Sequence, residues 1–262
     1  MHVLIPTDFS DNARNAIDYC RSLFVDRPLV MHLLHVASPQ ITPSEEQQQS
    51  NLLDVLVSDL KKDNSEKHFV TGHLTKGDLI KTILQHIDLH RIELLVMGTK
   101  GIGAAYQTVI GSNTLNVIHK VPFTTLVVPE HASCKGLKQL VFPTDLSTYY
   151  SYSFFNDAEK MIRYFKTALK VIYLDKREHK LTPEQSEYSE YIKTFFSSLP
   201  FSYDKIIHQN LTEGVQSYLT KFPADAFLMA AKNIHFLSEL FLSPQTTEAH
   251  YLKQYPIFVV HG

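Results

Sequence analysis

The chain has few cysteines, and they form no recognisable motif. Only Cys20 and Cys134 occur among its 262 residues. Metal-binding and redox-active cysteines usually come in closely spaced pairs, so neither kind of cysteine site is predicted. We expect two free thiols in a reducing compartment.

Excess charge and long apolar runs are lacking as well. The formal net charge is -2 at pH 7, so the chain has no excess of positive charge with which to bind nucleic acid or an anionic membrane surface. No apolar run approaches the length of about 18 residues that a membrane span requires, and the N-terminal residues do not resemble a secretion signal. The sequence predicts a soluble, cytoplasmic protein that binds neither nucleic acid nor membrane.

Common catalytic motifs are also missing. The phosphate-binding string G-x4-G-K-[ST] and the nucleophile elbow G-x-S-x-G do not occur in the chain. Nothing in the sequence indicates a group that activates water against a phosphate. A binding protein is therefore predicted rather than an enzyme, with slow hydrolysis of a nucleotide left open.

An internal repeat is the clearest feature that is present. Residues 4–10 (LIPTDFS) return as residues 141–147 (VFPTDLS), a shift of 137 positions from Asp8 to Asp145 (145 − 8 = 137). Residues 74–77 (LTKG) and 211–214 (LTEG) match at the same shift. Two matches at one offset indicate a duplication. We predict domains at residues 1–133 and 138–262.

Each half reads as alternating strands and helices. In the first half, short apolar runs alternate with amphipathic stretches in the order β-α-β-α-β-α-β-α-β, and Ser10 is a predicted N-cap. The strands are apolar throughout, which is typical of a sheet covered on both faces. The predicted fold class is α/β, with two tandem doubly wound, Rossmann-like domains, each a five-stranded parallel sheet between helices.

A glycine-rich segment follows the fourth predicted strand. Gly98, Gly101, Gly111 and Ser112 form the pattern G-x2-G-x9-G-S directly after the apolar run 92–97. A strand, a glycine-rich loop and a helix start form the arrangement in which backbone N–H groups bind phosphate. Glycine lets the chain approach the phosphate without a Cβ. A tight turn without ligand is the alternative.

These features resemble the universal stress protein family, in its tandem form. The motif of its nucleotide-binding members, G-x2-G-x9-G-(S/T) followed by Asn, is matched in full, and Asp8 matches the family's aspartate after the first strand. The resemblance implies an adenine nucleotide alpha hydrolase-like fold and an ATP pocket, with Mg²⁺ held through the phosphates. The predicted pocket residues are Pro6, Thr7, Asp8, Val36, Met97, Gly98, Thr99, Lys100, Gly101, Gly103, Gly111, Ser112, Asn113 and Thr114.

The motif is lost in the second half. With residues 228–229 aligned on 96–97, the three glycines and the serine become Ala230, Asn233, Ser243 and Pro244. Side chains would enter the phosphate space, and proline removes an N–H donor. One ATP site per chain is therefore expected.

The resemblance also implies an assembly. The last strands of the two halves, residues 124–128 and 257–260, would pair as an intramolecular pseudo-dimer, and a homodimer is possible in addition. Three functions remain open: an ATP-dependent stress or signalling module, an ATP-hydrolysing or adenylyl-transferring enzyme, and a structural interaction module.

Two further patterns receive simpler interpretations. His86 and His90 have the i, i+4 spacing of a helical metal site, but no third ligand is visible, so no metal is predicted. The aromatic residues between Tyr149 and Phe155 are interpreted as core or as packing between domains.

Overall fold

A computed structural model describes residues 1–62, 67–99, 111–178, 180–233 and 254–261. The chain divides into two compact units, Met1–Cys134 and Lys135–Gly262.

The first unit alternates five strands with four helices. The strands are β1 (His2–Pro6), β2 (Leu29–Ala37), β3 (His68–Lys76), β4 (Leu94–Gly98) and β5 (Thr125–Val128). The helices are α1 (Asp11–Leu23), α2 (Pro43–Lys62), α3 (Leu79–His90) and α4 (Ser112–Lys120). The strands are parallel and lie in the order β3-β2-β1-β4-β5. The predicted α/β class and strand order along the chain are confirmed.

Strand order explains which helices cover each face. From β1 the chain proceeds outward to β3 and then returns to β4 on the other side of β1. Because parallel crossovers are right-handed, this reversal places α1 and α2 on one face and α3 and α4 on the opposite face. Leu4, Leu34, Ile83, Leu95 and Val117 form part of the core under α3 and α4.

Side-chain caps fix the starts of helices α1 and α3. The Ser10 hydroxyl accepts from the backbone N–H of Ala13 at the start of α1, and the Asp78 carboxylate accepts from that of Lys81 at the start of α3. Each cap satisfies a backbone donor that has no partner within the helix. The helix start predicted from Ser10 is confirmed.

The second unit repeats this architecture. Its strands are β6 (Gln139–Thr144), β7 (Ala168–Asp175), β8 (Phe201–Ile207), β9 (Ala226–Ala230) and β10 (Ile257–Val260), in the parallel order β10-β9-β6-β7-β8. Its helices among the described residues are α5 (Tyr152–Phe165), α6 (Pro183–Phe196) and α7 (Leu211–Lys221).

The repeated Pro-Thr-Asp segment forms the same turn in both units. Thr7 Oγ1 accepts from the Phe9 N–H at 3.1 Å, and the corresponding Thr144 Oγ1 accepts from the Leu146 N–H at 3.1 Å. Phe9 and Leu146 both have left-handed backbones, with φ of 65° and 57°. Such a conformation is uncommon for large side chains, so its recurrence supports the duplication.

The second sequence match at the shift of 137, between residues 74–77 and 211–214, does not join corresponding parts of the structure. Residues 74–76 end strand β3, whereas residues 211–214 begin helix α7. The helix starts correspond instead at Leu79 and Leu211, a shift of 132 positions (211 − 79 = 132). The spacing between the first strand and this helix is therefore five residues shorter in the second unit (137 − 132 = 5).

No helix within the described residues combines the length and apolar character that crossing a membrane requires. Neither Cys20 nor Cys134 forms a disulfide bond within the part of the chain that the structure describes.

Candidate functional site

The first unit has a crevice where the strand order reverses. Strands β1 and β4 are neighbours, with Val3 opposite Leu94 and Leu4 opposite Leu95, although they are far apart in the chain. Their carboxyl ends lie at the same edge of the sheet, and the connections leave them in opposite directions. Ligands of open α/β sheets bind outside the strands at this switch point.

Helix α4 begins beside this crevice. Gly111 is its N-cap and supplies no side-chain hydrogen bond, while Ser112 and Asn113 in the first turn are exposed. The Gly111 N–H donates to the Thr99 carbonyl, and the Thr114 hydroxyl donates to the Gly98 carbonyl at 2.8 Å. These bonds fasten the helix start to the end of β4. They leave the first-turn N–H groups without the side-chain cap that α1 and α3 have.

Gly98 is required by packing against helix α1. A Cβ at this position would lie 2.0 Å from Asn12 Oδ1 and 3.0 Å from the Asn12 backbone oxygen. The Asn12 side chain is buried and donates from Nδ2 to Thr99 Oγ1 at 3.3 Å. Close approach to a phosphate is thus not needed to explain this glycine. Asn12 was not predicted, because a polar residue near a helix start gives no special sequence signal.

Thr7 and Asp8 lie at the opposite side of the crevice, at the end of β1. Asp8 Oδ1 accepts from both the Ser10 N–H and the Ser10 hydroxyl, at 3.1 and 2.6 Å. The carboxylate is therefore held in a turn, as Asp145 is in the second unit. Its orientation is fixed by the local chain.

His35 is a further polar group at this edge. Its Nδ1 donates to the Thr7 carbonyl at 2.8 Å, and its ring centroid lies 4.5 Å from that of Phe9. The donation from Nδ1 leaves Nε2 as an acceptor. Nε2 is buried and has no hydrogen-bond partner among the described residues. At this strand end only Val36 was predicted to line the pocket, and the unsatisfied nitrogen of His35 becomes visible only in the structure.

The remaining predicted pocket residues have different surroundings. Met97 and Val36 pack into the core under α3 and α4, so only their backbones could serve a ligand. Pro6 is the last residue of β1 and is half-buried. Lys100, Gly101 and Gly103 lie outside the described residues.

A groove between α1 and α2 begins at the same turn. Its volume is about 250 Å³, and Thr7, Phe9 and Ser10 form one end. Ile17 and Leu56 contribute apolar wall. The turn after β1 therefore borders both the crevice and this groove.

The corresponding crevice of the second unit is filled by side chains. Asn233 is buried and donates from Nδ2 to the Tyr150 hydroxyl at 2.9 Å. Thr144, at the end of β6, also hydrogen-bonds the Tyr150 hydroxyl, and burial raises the pKa of this phenol to about 12. Ala230 is buried at the end of β9. Ser243 and Pro244 lie outside the described residues.

The first unit also contains a cluster of five histidines. His2 on β1, His32 on β2, His73 on β3, and His86 and His90 on α3 pack together between the sheet and α3, with ring centroids 4.5 to 5.4 Å apart. No third ligand for His86 and His90 was visible in the sequence, whereas the structure brings His32 and His73 close to His90. Parallel strand register brings the other histidines to α3, and this register is not visible in the spacing of histidines along the chain.

We predict that the histidine cluster makes stability depend on pH. Burial, together with the neighbouring histidines, lowers the pKa of His32 and His73 from 6.5 to about 4. The unfolded chain takes up these protons at higher pH than the folded chain. The contribution of the two neutral histidines to the free energy of unfolding is therefore fully present above about pH 6.5. It decreases as the pH falls towards 4, by at most about 1.4 kcal/mol per pH unit for each histidine.

Urea unfolding in EDTA-containing buffer between about pH 7.5 and about pH 4 measures this effect. The double variant His32→Leu/His73→Leu should show a shallower loss of stability over this interval. A slope equal to that of the wild type would contradict the assignment of the effect to these two rings.

Both units thus have the doubly wound parallel α/β fold, and comparisons with known proteins extend this result. Residues 1–129 match the Universal stress protein family. The first unit, which the match covers through β5, is therefore a universal stress protein domain. No curated protein matches the chain.

Solved structures resemble the whole chain. A universal stress protein from Archaeoglobus fulgidus has a TM-score of 0.65 at 12% identity, with 99% of this chain and 98% of that chain covered. A putative universal stress protein from Pseudomonas aeruginosa has a TM-score of 0.59 at 13% identity, with 99% and 92% covered. At these identities the similarity concerns the fold.

Proposed function

We propose that the first unit binds an adenine nucleotide, ATP with Mg²⁺, and that the bound nucleotide controls a stress or signalling interaction. The observation that carries this proposal is the start of α4. Its first turn lacks a side-chain cap and faces the switch point of the sheet. Membership in the universal stress protein family supports the choice of an adenine nucleotide.

The phosphates would bind at the start of α4. The N–H groups of Ser112 and Asn113 would donate to phosphate oxygens, and the positive end of the helix dipole favours the anion. The Ser112 hydroxyl and the Asn113 amide add further donors. Mg²⁺ would arrive with the phosphates, since it retains several waters and requires few protein ligands.

The nucleoside would lie towards the end of β1. The buried Nε2 of His35 is an acceptor that has no partner within the described part of the chain, and an amino or hydroxyl group of a nucleoside would satisfy it. Asp8, with its orientation fixed by Ser10, lies on the same side. The buried, unsatisfied Nε2 of His35 therefore fits a bound polar ligand.

Replacing Ser112 with proline tests the phosphate contact. Position 112 is the first residue of α4, where proline is well tolerated, so the variant loses one N–H donor while the helix is kept. We expect ATP affinity, measured by isothermal titration calorimetry with Mg²⁺, to fall about tenfold or more, as for the loss of a hydrogen bond to a charged group.

The variant Ser112→Ala is the matched control, because it removes the hydroxyl and keeps the N–H. It should lose less affinity than Ser112→Pro. Equal affinity in the wild type and both variants, with folding intact, would reject this phosphate site. Absence of ATP binding to the wild type would reject the proposed function.

We expect one nucleotide per chain. In the second unit, Tyr150 and Asn233 take up the space at the strand ends. Calorimetry of the full chain should therefore give a stoichiometry near one. In Ser112→Pro, where this site is weakened, no other site should bind ATP with the affinity of the wild type. A stoichiometry of two would contradict a ligand-free second unit.

The other functions make different predictions. A hydrolysing enzyme would release phosphate from ATP in proportion to protein concentration, whereas a binding protein should show release close to background. A purely structural module would show neither binding nor release. The pairing of the last strands of the two units, and any homodimer, stay predictions of the sequence.

A further inference from the structure

We propose that His32, His73 and His90 form a binding site for a divalent transition-metal ion, with Zn²⁺ as the best-matched ion. The three residues come from β2, β3 and the end of α3. This site lies under α3 and is separate from the proposed nucleotide site in its residues and chemistry.

The distances between the nitrogens suit a metal. One ring nitrogen from each of the three histidines lies within 4.8 Å of the other two. His32 Nδ1 and His73 Nε2 are 3.2 Å apart. A tetrahedral zinc ion with bonds of about 2.0–2.1 Å needs ligand nitrogens about 3.3 Å apart, so this pair is already in place. The His90 ring would turn towards this pair to complete the set.

The neighbouring His2 supports one of the two strand ligands, His32. His2 Nδ1 lies 3.2 Å from His32 Nε2, the ring nitrogen that would remain after Nδ1 binds the metal. The Thr71 hydroxyl lies beside the two metal-binding nitrogens themselves, 3.3 Å from His32 Nδ1 and 3.2 Å from His73 Nε2, so it would turn away from them when an ion binds. A partner on the second ring nitrogen, as His2 is for His32, holds a ligand ring in a fixed orientation and increases metal affinity.

His86 supplies an independent indication. It is buried, and its Nδ1 has no hydrogen-bond partner among the described residues. Its ring centroid is 5.0 Å from that of His73 and 5.1 Å from that of His90. A buried, unsatisfied nitrogen is costly. A metal-bound water at the open fourth position would give it a partner.

The burial of the cluster leaves a route for an ion. His32 is buried, whereas His73 and His90 are half-buried. An ion could therefore reach the cluster from the side of His73 and His90 without unfolding of the domain. Three imidazoles with one open position favour zinc and neighbouring ions such as Co²⁺ over Mg²⁺ or Ca²⁺, which prefer oxygen ligands.

The second unit stabilises the same positions without histidine. Strand register makes Lys170 the counterpart of His32 and Asp204 that of His73. The shift of 132 between the helices makes Tyr218 and Phe222 the counterparts of His86 and His90. Lys170 Nζ lies 4.4 Å from the Phe222 ring centroid, and the Tyr218 hydroxyl donates to Asp204.

This comparison shows that the fold does not require histidine at these positions. A cation over an aromatic ring and a tyrosine–carboxylate hydrogen bond hold the second unit's helix on its sheet instead. The second unit also supplies a conservative substitution. Replacing His90 with phenylalanine installs the residue found at the corresponding place and keeps an aromatic ring against His32.

Titration of the full chain with Zn²⁺ alone tests the proposal. After treatment with EDTA and its removal, competition with a chromogenic chelator should show one tight site per chain. His90→Phe and His73→Asn should each weaken that site by at least about a hundredfold. His2→Leu, which removes the partner of His32 Nε2, should weaken it by about tenfold. His119→Gln, an exposed histidine on α4, is the matched control and should have no effect.

Two further measurements keep the test decisive if a variant is unstable. Co²⁺ bound to the wild type should give the visible spectrum of a four-coordinate ion, and Zn²⁺ should raise the melting temperature of the wild type but not of His90→Phe. Unchanged affinity in both ligand variants, equal loss in His119→Gln, or no stoichiometric site in the wild type would overturn the proposal. Ser112→Pro should bind Zn²⁺ like the wild type, which separates this result from the nucleotide hypothesis.

Discussion

Replacing Gly98 with alanine is expected to destabilise the first unit by about 1–3 kcal/mol, the usual cost of overpacking a well-packed core. The added Cβ would lie 2.0 Å from Asn12 Oδ1 and 3.0 Å from the Asn12 backbone oxygen. The amide could rotate away only by breaking its hydrogen bond to Thr99. The backbone of α1 would then still have to shift slightly.

A double-mutant cycle with Asn12→Ala isolates this contact. Asn12→Ala alone removes the bond to Thr99 and should cost about 1 kcal/mol. In the Asn12→Ala background, Gly98→Ala should destabilise the first unit much less, because the atom nearest to the added Cβ, Asn12 Oδ1, is absent. Urea unfolding followed by far-UV circular dichroism gives the four free energies. Additive effects of the two substitutions would show that Gly98 is needed for another reason.

This role of Gly98 changes the meaning of the glycine motif. The sequence pattern alone suggested that the glycines make room for phosphate, but here the first glycine makes room for α1. The same substitution would move the end of β4 and, through the Thr114–Gly98 bond, the start of α4. Loss of nucleotide binding in a Gly98 variant would therefore not identify a phosphate contact. Ser112→Pro avoids this ambiguity because it changes the helix start alone.

Local features of the fold were predictable from the sequence. Ser10 and Asp78 cap helices where a polar residue precedes an amphipathic run, and the apolar strands have the expected order. These features depend on a few adjacent residues. The Pro-Thr-Asp segment identified the repeat correctly, whereas residues 74–77 did not. A match of four residues is too short to show whether the surrounding elements correspond.

Features that depend on strand register were not predictable. His32 faces His73 and α3 because β2 pairs with β3 at one particular offset, and a slip of one residue would turn every side chain to the opposite face. The orphaned nitrogens of His35 and His86 likewise depend on tertiary packing. Asn12 lies beneath Gly98 only because α1 crosses the end of β4.

Aromatic packing in the second unit was predicted in kind but not in detail. Of the aromatic residues from 149 to 155, Tyr150, Phe154 and Phe155 are buried, whereas Tyr149 and Tyr152 are exposed. The helical period separates them, since α5 begins at Tyr152 and presents only one face to the core. Phe155 is central to this packing. Its ring lies 5.2 to 6.4 Å from six others: Tyr150, Phe154, Tyr188, Tyr191, Phe195 and Phe196.

We therefore expect Phe155→Ala to destabilise the second unit by about 3–5 kcal/mol, through lost burial and the cavity left among these rings. Tyr152→Ala, on the same helix but 70% exposed, is the matched control and should change stability by less than about 0.5 kcal/mol. Amide hydrogen exchange of peptides from α5 and β7 assigns the change to the second unit. Peptides from β1 and β2 should keep their protection if the first unit retains its own core. Equal exchange in Phe155→Ala and Tyr152→Ala would mean that the aromatic cluster does not hold α5 on the sheet.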